Sequence, residues 1–142
     1  MGTFQARAMT RTVFLTLVAA VGLAVAVFAL ALPAALLAGK GVAPNPAAQV
    51  WVREVGVLIA VVAVLALLVR KHPDSPTLRA FLVANALMHV GLLPIEIVAW
   101  KDGVLTRFGG IFPNSVLHVI LAVGFLFYAR RVTGSPARWG SR

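Results

Sequence analysis

The chain has 142 residues, of which 61% are hydrophobic and 12% are charged, whereas an ordinary soluble domain carries about 25% charged residues. This composition excludes a soluble catalytic domain, and the absence of cysteine excludes disulfides, thiolate nucleophiles and cysteine-ligated metal sites. The net charge of +9 belongs to loops and tails of a membrane protein, so we expect membrane lipids and not nucleic acid as partners.

The first predicted span covers residues 12–38, which are apolar and uncharged and follow a basic lead. This run is longer than the 7 to 15 apolar residues of a usual signal peptide, so we expect a retained helix, with cleavage as the alternative. Its alanines and Gly22 would let a neighbouring helix come close. Pro33 is expected to kink the helix near its far end.

The second predicted span covers residues 50–69 and follows a turn-rich segment, 39–48. Trp51 is expected at the membrane interface, where amphipathic rings settle. Arg53 and Glu54 fall in the first turn and point to different sides of the helix, and Glu54 there would cap the helix N-terminus. A basic, proline-broken loop, residues 70–76, ends this span.

The third predicted span, residues 78–100, is organised around a polar stripe. Asn85 and His89 are one helical turn apart, and Glu96 falls above Asn85 after three turns. A polar stripe cannot face lipid cheaply, because an ionisable group at the bilayer centre costs roughly 2.5 to 3.5 kcal/mol. The stripe therefore faces protein, a wet cavity or a ligand. Pro94 removes one backbone donor from this helix.

The fourth predicted span, residues 111–129, begins near Pro113 and carries Asn114, Ser115 and His118. The fold class is thus an all-α integral membrane protein, with one four-helix transmembrane domain over residues 1–133. Residues 134–142 are expected to form a disordered basic tail. A weak internal repeat also pairs three sites of the two halves: Pro33 with Pro94, Gly41-Val42 with Gly103-Val104, and Pro44-Asn45 with Pro113-Asn114.

The basic residues predict the orientation of the four spans. When lysines and arginines are sorted by alternate sides of the membrane, one side takes nine and the other takes four. The positive-inside rule then places both termini and the middle loop in the cytoplasm of a bacterial inner-membrane protein. The smaller group consists of Lys40, Arg53, Lys101 and Arg107.

With this orientation, five polar residues share the outer half of the bilayer: Arg53, Glu54, Glu96, Asn114 and His118. An ion pair between Arg53 and Glu96 is the simplest expectation, with a substrate or ion site as the alternative. Asn85 is expected to form an interhelical hydrogen bond. Asn114 follows a proline and is expected to be the N-cap of its helix.

His89 and His118 are the residues best suited to proton relay or to ligand contact, because imidazole titrates near neutral pH. Three interpretations are open: buried hydrogen-bonded rings, a relay or ligand contact, and a haem bound by both histidines. The depths of the two rings differ by about one turn, which is compatible with each interpretation. Neither a cofactor nor a metal is required by the sequence.

The segments Trp51-Val-Arg53-Glu54-Val-Gly56 and Pro113-Asn114-Ser-Val-Leu-His118, with the basic loop between them, resemble small bacterial four-helix membrane proteins of the DoxX-like and BphX-like families. The resemblance implies that Arg53, Glu54 and His118 are the family-type polar positions. The resemblance to DoxX-like proteins implies a role in a quinone-linked or redox-associated membrane complex. BphX-like proteins occur in aromatic-degradation operons, without an assigned activity. The absence of cysteine removes a redox-thiol role.

Two function classes follow. The first is a non-enzymatic accessory or interaction subunit, assembled into a membrane complex or a homo-oligomer. The second is a membrane protein that handles a small molecule, a quinone or protons through its polar cluster, with the ligand or relay candidates Arg53, Glu54, Asn85, His89, Glu96, Asn114 and His118.

Overall fold

The computed structural model describes residues 2–133, with side chains from residue 10 onward, and the expected tail 134–142 lies outside this part. Its five helices are α1 (Gly2–Ala31), α2 (Pro33–Gly39), α3 (Pro46–Val69), α4 (Pro76–Lys101) and α5 (Phe108–Arg131). The described residues contain four helices long and apolar enough to cross a membrane, and no strand. The protein is therefore an all-α, multi-pass membrane protein with four spans.

Prolines set the starts of three helices, because a proline at the first helical position loses no hydrogen bond. The predicted kink at Pro33 is a break: the backbone leaves helical geometry at Leu32, and α2 starts at Pro33. Asn45 caps α3 by accepting from the Ala48 amide at 2.8 Å, and Ser75 caps α4 in the same way.

Two expected helix starts are wrong. α3 begins at Pro46, so Arg53 and Glu54 lie in its third turn, and Glu54 is not a cap. α5 begins at Phe108 after Arg107, so Asn114 is inside the helix and is not its N-cap. In both cases the helix extends by about one turn beyond the predicted span, since hydrogen bonding and not hydropathy decides where a helix begins.

The chain folds as two helical hairpins. The first hairpin consists of α1, α2 and α3, and the second hairpin consists of α4 and α5. In each hairpin, the helix that precedes the connecting loop ends in the same kind of turn. Gly41 and Gly103 have positive φ angles of 79° and 69°, and the amide of the following valine reaches back to Leu37 O at 3.0 Å and to Ala99 O at 2.9 Å. The Gly-Val pairs of the weak repeat thus form matching helix caps.

Close packing within the first hairpin depends on small residues. A Cβ atom added to Gly22 would lie 3.0 Å from Ala63 Cβ, so α1 and α3 approach closely, as the small residues of the first span predict. Between the hairpins, Phe14 of α1 packs against Phe125 and Tyr128 of α5, with ring centroids 5.2 and 5.0 Å apart. Phe125 is fully buried at this contact.

Polar contacts join the two hairpins at both ends of the bundle. At one end, called here the Asp74 end, Asp74 of the connecting loop pairs with Arg11 of α1 and accepts from the amide of Thr133, just after α5, at 3.1 Å. At the other, the Lys40 end, Lys40 O accepts from the amides of Thr106 and Arg107 at 3.1 and 3.2 Å. The loop carrying Lys40 is therefore fixed against the second hairpin, beside the C-terminal part of α4.

Candidate functional site

Glu96 is the centre of a polar network inside the bundle. It lies on α4 and is only 8% exposed. Lys40 Nζ lies 3.0 Å from its Oε1, Ser115 Oγ donates to its Oε2 at 2.7 Å, and the amide of Asn114 donates to Oε1. A buried carboxylate is stable only when it is paired and hydrogen-bonded, and here the loop after α2 and the helix α5 supply both conditions.

The expected ion pair between Arg53 and Glu96 is wrong, because Glu96 pairs with Lys40. Arg53 is exposed on α3, where its Nε makes a long 3.4 Å contact with Leu30 O. Glu54 is exposed too and has no hydrogen-bond or ion-pair partner in the part of the chain that the structure describes. The reason is topological: α3 packs against α1 and α2, so its polar turn does not meet α4.

The two histidines continue the network from Asn114. The Asn114 amide nitrogen lies 3.1 Å from His118 Nε2, and His118 Nδ1 lies 2.9 Å from His89 Nδ1. His89 is buried at the midpoint of α4 and stacks on Phe125 with an interplanar angle of 19°. The network therefore runs from Lys40, at one end of the bundle, to the middle of the helices.

The partners along this network assign the proton of each imidazole. A carboxylate only accepts, so Asn114 must present its NH₂ group to Glu96. The same NH₂ group then donates to His118 Nε2, which leaves the His118 proton on Nδ1, and that N–H donates to His89 Nδ1. His89 consequently carries its proton on Nε2. Within the described chain, His89 Nε2 has no hydrogen-bond partner.

Asn85 does not join the network, although it shares the stripe of His89 and Glu96. It is buried, and its amide donates at 2.8 Å to Phe81 O one turn earlier on its own helix. The expected interhelical hydrogen bond is thus replaced by a bond within α4, because the backbone carbonyl four residues earlier lies within reach of a short side chain.

The geometry of the two histidines argues against a haem bound by both rings. The two imidazoles contact each other directly, with ring centroids 5.2 Å apart, so an iron ligated by both would require the rings to separate. The side chains described here include no group of three or more histidine, aspartate or glutamate residues placed to hold a metal ion. The polar network instead presents hydrogen-bond donors and one paired carboxylate.

Sequence reasoning missed two members of this site. Lys40 was counted among the loop charges that set topology, and only the contact of its loop with Thr106 and Arg107 brings it to Glu96. Ser115 was recognised as polar but was given no role, although its position next to Asn114 was the available signal. In contrast, the stripe on α4 correctly singled out the helix that carries the network.

Comparisons with protein-family models, with curated proteins and with solved structures find no match to this chain. Fold and site together define a class, that of a four-span helical membrane protein with a buried polar network between its two hairpins. What such a network can do follows from its own donors, acceptors and charges.

Proposed function

We propose that this protein binds a small hydrogen-bond-accepting molecule at His89, inside the membrane, and that it does so as a binding protein and not as an enzyme. The observation that carries the proposal is the end of the network. The imidazole of His89 is 8% exposed, sits at the midpoint of a spanning helix, and has an Nε2–H with no partner in the described chain. This N–H is free to donate to a ligand acceptor, and a hydrogen bond of this kind contributes about 0.5 to 1.5 kcal/mol.

The single donor of His89 favours a carbonyl compound of the quinone class. A quinone carbonyl accepts one hydrogen bond without bringing charge into the bilayer. The resemblance to DoxX-like proteins, which implies quinone-linked complexes, points to the same class. The bundle would hold such a molecule between α4 and α5.

Proton handling is confined to the histidine pair in this proposal. A relay from Glu96 to His118 would have to pass through Asn114, whose amide donates hydrogen bonds to both groups. An amide does not exchange its protons as an acid or a base does, so it interrupts a relay. The two imidazoles can share one additional proton. Binding of this proton is the alternative to binding of a small molecule at the site.

We place the protein in the bacterial inner membrane with the Asp74 end in the cytoplasm and the Lys40 end outside, as the nine-to-four distribution of basic residues favours. A reporter fused after Arg142 should be active only if it functions in the cytoplasm. Activity of a periplasmic-type reporter at that position would contradict this orientation.

The test of binding is purification in mild detergent, followed by an absorption spectrum and mass spectrometry of the extracted small molecules. We expect a quinone-class molecule with the wild-type protein and a large loss of it with His89→Phe. Asn85→Leu is the matched control, because Asn85 is also buried on α4 but bonds only to its own helix. Equal small-molecule content in both variants, or a wild-type protein that neither retains nor takes up an added quinone, would contradict the proposal.

An accessory role in a membrane complex is the second candidate, and one observation favours it. The groups from Lys40 to His118 bond to one another, so the network can hold the two hairpins together with no ligand at Glu96. The same purification separates the candidates. A protein that co-purifies at a fixed ratio, without a small molecule, would favour the accessory role.

A further inference from the structure

Two charged side chains lie on the exposed face of a spanning helix, where lipid would otherwise surround them. Arg53 and Glu54 are exposed on α3, seven and eight residues after its first residue Pro46. At 1.5 Å per residue they sit about 10 Å along the helix, deeper than the exposed Trp51. Charged groups within a span almost always face protein or water, so something other than lipid covers this turn.

The two charges cannot neutralise each other within one protomer. Adjacent residues of a helix point about 100° apart and do not face each other. Glu54 has no partner in the described chain, and Arg53 makes only the long contact with Leu30 O. Each charge therefore remains available to a group of opposite sign at the same depth.

Glu54 belongs to an apolar stripe with a heptad spacing of four and three residues. The stripe lies opposite the small residues Gly56 and Ala63, which pack toward α1. Its apolar members are each between 45% and 73% exposed. The stripe consists of Val50, Glu54, Val57, Val61, Val64 and Leu68. In heptad notation Glu54 takes an a position, and Arg53 takes the g position just before it.

We propose that this stripe is the interface of a homodimer, in which two parallel α3 helices pack about a two-fold axis along the membrane normal. Two copies with the same membrane orientation present their α3 helices in parallel, so Glu54 of one protomer and the partner's Arg53 lie at nearly the same depth. In a parallel two-stranded coiled coil, a g residue flanks the a residue of the facing helix. The two-fold axis makes this pair twice, and all four charges are then paired.

The second copy fits this surface better than an unrelated partner because the surface is complementary to itself. One two-fold contact satisfies both signs of charge, as an isologous interface requires. Apart from Glu54, every a and d position of the stripe is valine or leucine, so the rest of the contact is apolar. A left-handed crossing of this kind is the common geometry between spanning helices.

Cysteine cross-linking tests the interface directly, because the native chain contains no cysteine. Single substitutions Val57→Cys, Val61→Cys and Val64→Cys should give disulfide-linked dimers in native membranes. Val55→Cys is the matched control, since Val55 is 50% exposed on the same helix but at a b position, which faces away from the axis. Cross-linking at Val55 as strong as at the stripe, or none at the stripe, would overturn the proposal.

The charge pair has its own test, which uses dimer affinity in lipid bilayers measured by energy transfer. Arg53→Glu places four carboxylates in the interface and should weaken dimerisation by about tenfold or more. The double variant Arg53→Glu with Glu54→Arg restores opposite signs and should recover the dimer. Asp102→Lys changes an exposed charge just after the end of α4 and should have no effect. A double variant no tighter than Arg53→Glu, or a stripe that binds a different protein, would refute the homodimer.

Discussion

Lys40 Nζ lies 3.0 Å from Glu96 Oε1, and this ion pair joins the first hairpin to the second near the Lys40 end of the bundle. The lysine comes from a loop between two glycines, and the glutamate comes from a spanning helix. The Lys40 side chain is 25% exposed, so the pair is not fully buried. We therefore expect the pair to stabilise the fold as much as a charge-assisted hydrogen bond does.

Lys40→Met should lower the free energy of unfolding by about 1.5 to 3 kcal/mol, because it removes a charged donor from a buried carboxylate. In a double-mutant cycle with Glu96→Gln, the two losses should add to clearly more than the loss of the double variant. Arg53→Met is the control, and its effect should be additive with Glu96→Gln. Coupling of Glu96 to Arg53 instead of Lys40, seen in thermal unfolding in detergent, would refute the assigned pair.

The proton assignment of the imidazoles gives a second prediction. Nitrogen-15 NMR in lipid nanodiscs should show His118 protonated on Nδ1 and His89 protonated on Nε2, as the donors along the network require. Asn114→Ala removes the donor to His118 and should shift both ring signals. Ser115→Ala removes a bond to Glu96 only and should leave them nearly unchanged. A His89 ring protonated on Nδ1 would contradict the assignment.

A third prediction concerns pH and the Asp74 end. Burial raises the pKa of Asp74, but hydrogen bonds from Arg11 and Thr133 and the charge of Arg11 outweigh it, so the pKa of the carboxyl lies below its ordinary value of 3.8. A depressed carboxyl pKa stabilises the folded state above the unfolded-state pKa, and this stabilisation is lost as the pH falls through the folded-state pKa.

Asp74→Asn should therefore reduce stability at neutral pH, by about 1.5 to 3 kcal/mol, and the difference from wild type should shrink below pH 3.8. Thermal unfolding between pH 7 and pH 3 measures this difference. Asp102→Asn is the comparison, because the Asp102 side chain is exposed and should give little change at either pH. A difference that stays constant with pH would exclude ionised Asp74 as its source.

Two adjacent glycines at the start of α5 provide a fourth prediction. A Cβ atom on Gly110 would lie 2.9 Å from the carbonyl carbon of Gly39 and closer still to its oxygen, whereas a Cβ on Gly109 would meet nothing within 4 Å. Gly110→Ala should destabilise the fold by about 1 to 3 kcal/mol, since backbone cannot move aside as a flexible side chain can. Gly109→Ala should be neutral or stabilising by up to about 1 kcal/mol. The reverse order in thermal unfolding would show that the end of α2 and the start of α5 do not meet as described.

The spans were predictable because each one is an apolar run of bilayer length, and this property is local in sequence. A kink at Pro33 was predictable for the same reason, since proline acts on its own turn, but the full break into two helices was not. The helix starts at Pro46 and Phe108 were not predicted, because the residues just before each predicted span contain a proline or a glycine pair, which are typical of turns.

The site was predictable only along a single helix. Spacing on α4 placed His89 and Glu96 on one face, but it carried no information about which loop would approach that face. Arg53 was the charge at the right depth, whereas Lys40 reaches Glu96 because its loop docks on Thr106 and Arg107. Pairing between distant elements depends on how the hairpins sit together, and the pattern within one element does not encode that.

The loop docking of Lys40 also has a consequence for the order of membrane insertion. Lys40 precedes Glu96 by 56 positions, so the ribosome delivers the lysine first and the first hairpin can be in place before α4 enters the bilayer. Glu96 would then meet its counter-ion on arrival and need not cross the hydrocarbon as an unpaired anion. We therefore expect the first hairpin to act as the template for the second during biogenesis, and an exchange of the two hairpins in gene order should impair insertion of the helix that carries Glu96.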